Sequence, residues 1–406
     1  MQFLRISARN TLTSRLALWY NPFVPKIKTD KSGPGANIRA ERAYAKSIGV
    51  SSPTRLNKEQ LDEAVRRREL ELGITREKHS IYDYTSEERS VLETGLRGKH
   101  RTYNMVSGYF RAFPEGDGTL LRDPFADLSD ADIYVPASRV KACDMREGDR
   151  ITGAVAVLFY NKLRVLKNVM YVDGDSKVRS AARPEYSDLA ADVPSRKIDI
   201  LGNHSMVAVI DRVIGLGMGE SLVVSGRNGD NAGYFAKSAF AVFKGLRAGF
   251  DGVVYGIFAA DAKERLGMAY DPDTTMLGDS AEKCAFMREM IRRTLERNEH
   301  AVVVTDNDSV DISPFLAMAK AYRRASVTVI SFTAEPYTAD ARVVFDGALI
   351  DCAETGNTGT SHISGPERAR AAFRALQRIG KATPDELLGK FTEYVNEDKQ
   401  DSVSRG

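Results

Sequence analysis

Residues Ser221 to Phe243 have the outline of a phosphate-binding loop. A β-branched run, Leu222-Val223-Val224, enters a glycine-rich turn from Gly226 to Gly229, and an apolar-periodic segment leaves it. In such a strand–loop–helix setting, backbone N–H groups and a helix N-terminus cradle phosphate oxygens. The side chains that would complete the chemistry are different here. Asp230, Asn231 and Ala232 stand where a working loop carries Gly-Lys-Ser/Thr. No lysine is placed for the terminal phosphates and no hydroxyl for Mg²⁺, while Asp230 repels an anion. A second acid, Asp306, follows the apolar run Ala301–Thr305, where a strand-end carboxylate could hold water or Mg²⁺ or cap the following turn. Gly226, Gly229, Asp230, Asn231, Ala232 and Asp306 together read as a degenerate nucleotide site. The expectation is that ATP and Mg²⁺ binding are lost and that no cofactor is used.

Other chemistries find little footing. Cys143, Cys284 and Cys352 are far apart and odd in number, which excludes a disulfide framework and a cysteine zinc site. His79, His100, His204, His300 and His362 show no metal-ligand spacing. Asp306-Asn307-Asp308 lacks the glycine and terminal glutamate of a Ca²⁺ loop. Arg288, Arg292, Arg293 and Arg297 are interleaved with Glu289, Glu296 and Glu299, the pattern of a solvated helix face. The chain has 406 residues, 43% hydrophobic and 28% charged, with a net charge of +3. That allows nucleic-acid binding without arguing for it. No apolar run reaches the roughly 18–20 residues that a membrane span needs.

The elements that must position these residues fall into four stretches. Residues 1–50 form a basic flexible arm or a transit peptide: Arg5, Arg9, Arg15, Lys26 and Lys28 precede the first acid. Residues 51–98 carry two helical patterns, Leu56–Leu72 with Asn57 as cap and Ser86–Leu96. Residues 99–175 contain β-branched and aromatic runs at Tyr103–Phe113, Ile133–Val135, Arg150–Phe159 and Leu163–Val172. Glycine, proline and aspartate clusters separate them, as in a small barrel or sandwich. Residues 185–400 alternate strand and helix. Strands are expected at Met206–Ile210, Leu222–Val224, Val253–Phe258, Ala301–Thr305, Val327–Phe332 and Val343–Ala348. Helices are expected at Tyr234–Ala248, Ser280–Arg297 and Ile312–Arg324. That order predicts a mostly parallel α/β sheet with crossover helices. Thr383-Pro384-Asp385-Glu386 starts a last helix with a cap, a first-turn proline and a capping-box acid.

Asp132-Ile-Tyr134-Val-Pro-Ala-Ser-Arg139-Val140 and Met145-Arg-Glu-Gly-Asp-Arg-Ile-Thr-Gly153 resemble the RNA-binding cold-shock domain of the bacterial transcription termination factor Rho family. Gly215–Glu220 before Leu222-Val223-Val224, Ala301–Asp306 and the C-terminal helices from Gly365 to Glu397 extend the likeness over roughly residues 100 to 400. The resemblance implies an OB/cold-shock-like barrel followed by a RecA-like α/β domain with a degenerate nucleotide site. It places a base-stacking role on Tyr134 and a phosphate-facing role on Arg122. Asp132, Arg139, Lys141 and Phe110 complete the implied RNA-binding set. The family's catalytic glutamate has only Asp261 or Glu264 as stand-ins, and its arginine finger only Arg342. The segment that carries its RNA-translocating loop is absent. These departures lead to the expectation of a non-enzymatic Rho-like protein. It would bind single-stranded RNA or a ribonucleoprotein through the barrel. The alternative is an assembly protein that self-associates or blocks an active ring ATPase, and an NTPase with a rearranged site is a third reading. The expected location is cytoplasmic, or the mitochondrial matrix if residues 1–29 are a transit peptide, with no membrane contact.

Overall fold

The computed structural model describes residues 38, 42, 44–46, 48–72, 80–89, 103–129, 131–157, 163–176, 182–226, 231–335, 337–358 and 365–404. Residues 1–37 of the expected arm, with the transit-peptide expectation, and Gly229 and Asp230 lie outside the described residues.

The lead-in begins with helix α1, Lys58–Glu71. Asn57 caps it as expected: its side chain accepts from the Gln60 N–H at 2.9 Å, and Gln60 reaches back to the Asn57 N–H. A second helix starts at Ser86, where Thr85 and Glu88 exchange the same pair of bonds. Its continuation beyond Arg89 is outside the described residues.

Five strands form a closed barrel: β1 (Tyr103–Ala112), β2 (Gly118–Leu121), β3 (Ile133–Val135), β4 (Arg150–Val157) and β5 (Arg164–Val172). β1 pairs antiparallel with β2 and β4, and β2 with β3. β4 pairs with β5, and a parallel bridge from Tyr134 to Val165 closes the ring. Helix α2 (Ala137–Cys143) lies between β3 and β4. Alternate residues point inward, so Phe110, Leu120, Ile133, Val135, Ile151, Val155 and Leu166 fill the barrel. The sequence pattern did not reveal β2, which is four residues long and starts at a glycine.

Short strands β6 (Asp175–Ser176) and β7 (Ala191–Asp192) lead into the second unit. Its sheet contains β8 (Ser221–Gly226), β9 (Val253–Phe258), β10 (Thr275–Leu277), β11 (His300–Thr305), β12 (Lys320–Tyr322), β13 (Ser326–Thr333) and β14 (Ala341–Asp346). The order β10-β9-β11-β13-β8-β14 is parallel throughout. β12 adds antiparallel to β13, and β15 (Leu349–Asp351) antiparallel to β14. Both faces are covered. Val302, Val304, Ile330 and Phe332 pack on one side with helix α3 (Ala232–Gly249), through Phe235, Ala239, Phe243 and Leu246. Ala301, Val303, Val327 and Val329 pack on the other with helix α4 (Ala281–Glu296), through Met287, Met290, Ile291 and Leu295. The period of two in β11 and β13 thus feeds two separate cores. Helices α5 (Pro366–Ile379) and α6 (Pro384–Ser404) pack on the α3 side.

Two expected elements are different. Met206–Ile210 is helical, not a strand: Ser205–Ala208 is α-helix and Val209–Ile214 a π-helical turn that ends at Gly215 with φ +63°. A short buried apolar run has no periodicity to separate helix from strand. Ile312–Arg324 holds only one helical turn, Ser313–Leu316, before β12 pairs back onto β13. Tertiary pairing outweighs the helix-forming Ala317–Ala319 there.

The barrel is fixed to the sheet unit. Tyr109, Leu121 and Phe125 join the apolar cluster around α4. Gly148, with φ +88°, sits so close to α4 that a Cβ there would lie 2.8 Å from the Met290 nitrogen. Around this contact Arg183 binds Asp149 at 2.6 Å, Asp173 at 3.1 Å and Glu296 at 3.4 Å. Arg146 and Arg293 each reach Glu296 at 3.0 Å.

Candidate functional site

In the sheet unit the chain leaves β8 toward β9 on one side and later crosses β8 to place β14 on the other. Open α/β sheets bind ligands at such a switch point, outside the carboxyl ends of the strands. Gly226 ends β8 there and is buried, and a Cβ on it would meet the Asn231 side-chain nitrogen at 2.9 Å. Asn231 is buried and donates from Nδ2 to the Gly347 carbonyl at 2.9 Å. That bond ties the start of α3 to the turn after β14. Its side chain does not cap α3, and Ala232, exposed at the first helical position, has no group with which to do so. Among the described residues no side chain caps the N–H groups at the start of α3.

Asp306 follows β11, one strand removed from β8 across β13. Its Oδ1 is buried and has no hydrogen-bond partner among the described residues. Burial pushes its pKa up to about 7; Arg265 opposes the shift, while Asp308 and Asp261 add to it. Arg265 is itself held by Asp261 at 3.0 Å. The neighbouring Asn307, considered from the sequence only within a Ca²⁺-loop pattern, is the structural pin of this edge. It donates to the Gly278 carbonyl at 2.8 Å and accepts from the Ser309 N–H at 3.1 Å, and so ties the ends of β10 and β11. Asp308 accepts from the Ala334 N–H at 3.0 Å and adds the end of β13. An asparagine between two aspartates at a strand end is a turn-former signature, and that was the available signal. The edge is acidic, with Asp261, Asp306 and Asp308 against Arg265. An anionic ligand there would need a further cation. Among the described residues no group of three histidine, cysteine or acidic side chains could hold a metal ion.

The barrel residues are distributed otherwise than expected. Tyr134 is 1% exposed, and its hydroxyl donates to Asp117 Oδ2 at 2.9 Å. Phe110 is 1% exposed and points into the barrel core. Asp132 is buried and accepts from the Tyr82 hydroxyl at 2.8 Å and the Ser129 N–H at 2.9 Å. None of these three can stack on or bond to a base as the structure stands, which corrects their assignment to an open RNA face. Arg122 is exposed beyond β2, and Arg139 and Lys141 lie on α2, half-buried and exposed respectively. The reason for the burial is nonlocal: Ile81, Tyr82 and Tyr84 of the lead-in pack on Tyr134, Val165, Leu163 and Phe113.

No family model matches this chain, and no curated protein matches it. Among solved structures it is similar to a prototypical ATPase from the type III secretion system of pathogenic bacteria. The two are 11% identical with a TM-score of 0.34, over 52% of this chain and 88% of the other. This is a distant likeness to an ATPase fold, and it does not single out the Rho family. The expectation of a non-enzyme finds no support in this comparison, since the similar protein is an ATPase. Among the described residues no helix is long and apolar enough to cross a membrane.

Proposed function

We propose that this chain is an ATPase-type nucleotide-binding protein, with a RecA-like sheet unit and a barrel of the OB kind. Strand order supports the fold reading. β13 lies between the strand before the glycine-rich loop and the strand before Asp306, and helices cover both faces. The barrel's pairing, with a helix between its third and fourth strands, supports the second part. The nucleotide phosphates would meet the loop after β8 and the uncapped start of α3. The sequence supplies Arg227 as the cation within that loop.

The observation that carries the reading is Asp306. A half-buried carboxyl at a strand end, with one buried and unpartnered oxygen and a pKa raised to about 7, suits a proton acceptor for attacking water. Substrate would be a nucleoside triphosphate with its divalent ion; the chain's own part is to orient the phosphates and take up a proton at Asp306. A fluorescent ATP analogue titrated into the full-length protein, with and without Mg²⁺, tests the binding. Phosphate release from wild type and Asp306→Asn tests the chemistry. Saturable binding with turnover lost in the variant is expected. Absence of binding at millimolar nucleotide would overturn the proposal.

A further inference from the structure

OB-type barrels take single strands on the face of their second and third strands and the adjoining loops. In this chain that face is occupied by residues 80–89 of the same chain. Arg89 is buried, and its Nε donates to Asp117 at 2.7 Å, its Nη2 to Glu115 at 2.9 Å and its Nη1 to the Tyr84 carbonyl at 2.8 Å. Its guanidinium also lies over the Phe113 ring, 4.6 Å from the centroid. Tyr82 makes a second anchor, edge-on to Phe113 and bonded to Asp132.

The chemistry of the face matches this occupant. Asp117 is 5% exposed and is fixed from the barrel side by the Tyr134 hydroxyl, so its carboxylate is aimed before Arg89 arrives. Two carboxylates in fork geometry with an aromatic lid recognise a planar guanidinium, which an ammonium cannot reproduce. The same carboxylates repel a phosphate backbone. We infer that the β2–β3 face is an arginine-recognition site for a polypeptide segment, filled in this structure by Ser80–Arg89, and is not a nucleic-acid surface.

The experiment uses full-length wild type, Arg89→Ala and Arg89→Lys, with hydrogen exchange read over residues 80–89 and β3. Removing one partner of a buried ion pair raises local opening by roughly a hundredfold. A loss of protection of that order is expected for Arg89→Ala, with an intermediate loss for Arg89→Lys, which keeps the charge but not the fork. A synthetic peptide of residues 80–89 added to Arg89→Ala restores protection of β3, and the same peptide with alanine in place of its arginine does not. A single-stranded oligouridylate leaves β3 unchanged in both proteins. Protection unaltered by Arg89→Ala or Arg89→Lys would overturn the inference, as would failure of the arginine peptide to restore it. Tighter oligouridylate binding by Arg89→Ala, with protection of β3, would overturn it in favour of a nucleic-acid face held shut. If Arg89→Ala does not fold, Arg89→Lys carries the same three readouts.

Discussion

Asp306 is expected to cost the fold stability at the pH where it would work, and Asp306→Asn isolates that cost. Its carboxyl titrates at about 7 in the folded protein, because burial disfavours the anion more than Arg265 restores it. In the unfolded chain an aspartate titrates near ~3.9. The folded state therefore holds this proton more tightly. The associated stability is fully present below the unfolded pKa and is lost as pH rises through about 7. Three units at ~1.4 kcal/mol each set a ceiling of about 4 kcal/mol, and partial solvent contact brings the expected cost to about 2–4 kcal/mol. Asparagine has no such titration. The stability gap between variant and wild type should therefore widen by about 2–3 kcal/mol from roughly pH 5 to pH 8. For a unit of this size that is about 5–10 °C in melting midpoint. Circular dichroism melts of both proteins at the two pH values measure it. A gap independent of pH, or one that narrows toward pH 8, would refute the argument that burial raises this carboxyl. A variant that is more stable yet inactive would place Asp306 among groups retained for function at the expense of stability.

If Asp306 takes the proton from water, nucleotide turnover should rise about tenfold per pH unit below about pH 7 and level off above it. A flat profile between about pH 5.5 and 8.5 would exclude that role. Arg183→Met leaves the fully buried Asp149 side chain without its 2.6 Å partner and should lower stability by about 3–5 kcal/mol, read as a lower melting midpoint. A change under about 1 kcal/mol would mean that the cluster adds little to holding the barrel on α4. Gly148→Ala combines a left-handed backbone, φ +88°, with a Cβ 2.8 Å from the Met290 nitrogen. It should cost about 2 kcal/mol or more and increase hydrogen exchange in α4; an unchanged melt would show that the barrel can move off without penalty.

The two-unit organisation was legible because it rests on local signals. β-branched runs broken by turn residues marked four of the five barrel strands. Alternating strand and helix patterns marked the parallel sheet, and the caps at Asn57 and Thr383 start their helices as expected. The glycine-rich turn after β8 and the acid after β11 were also readable, since both sit at strand ends defined by their own neighbours. Met206–Ile210 and Ile312–Arg324 were misread for a common reason. Each is a short apolar run whose conformation is set by what packs on it: α3 in the first case and β13 in the second.

The sequence alone determined most of the elements, their order and the missing lysine, because propensity, periodicity and motif spacing act within a few residues. Only the tertiary structure decided what those residues can do. Tyr134 and Phe110 have the types of a stacking platform, yet one faces Asp117 beneath the lead-in and the other the barrel core. The contact that buries Tyr134 comes from a segment 45 residues earlier, at Arg89. Likewise, the titration of Asp306 depends on Arg265, Asp261 and the burial supplied by neighbouring strands. Burial and electrostatic environment are sums over nonlocal neighbours, and no spacing within one segment records them.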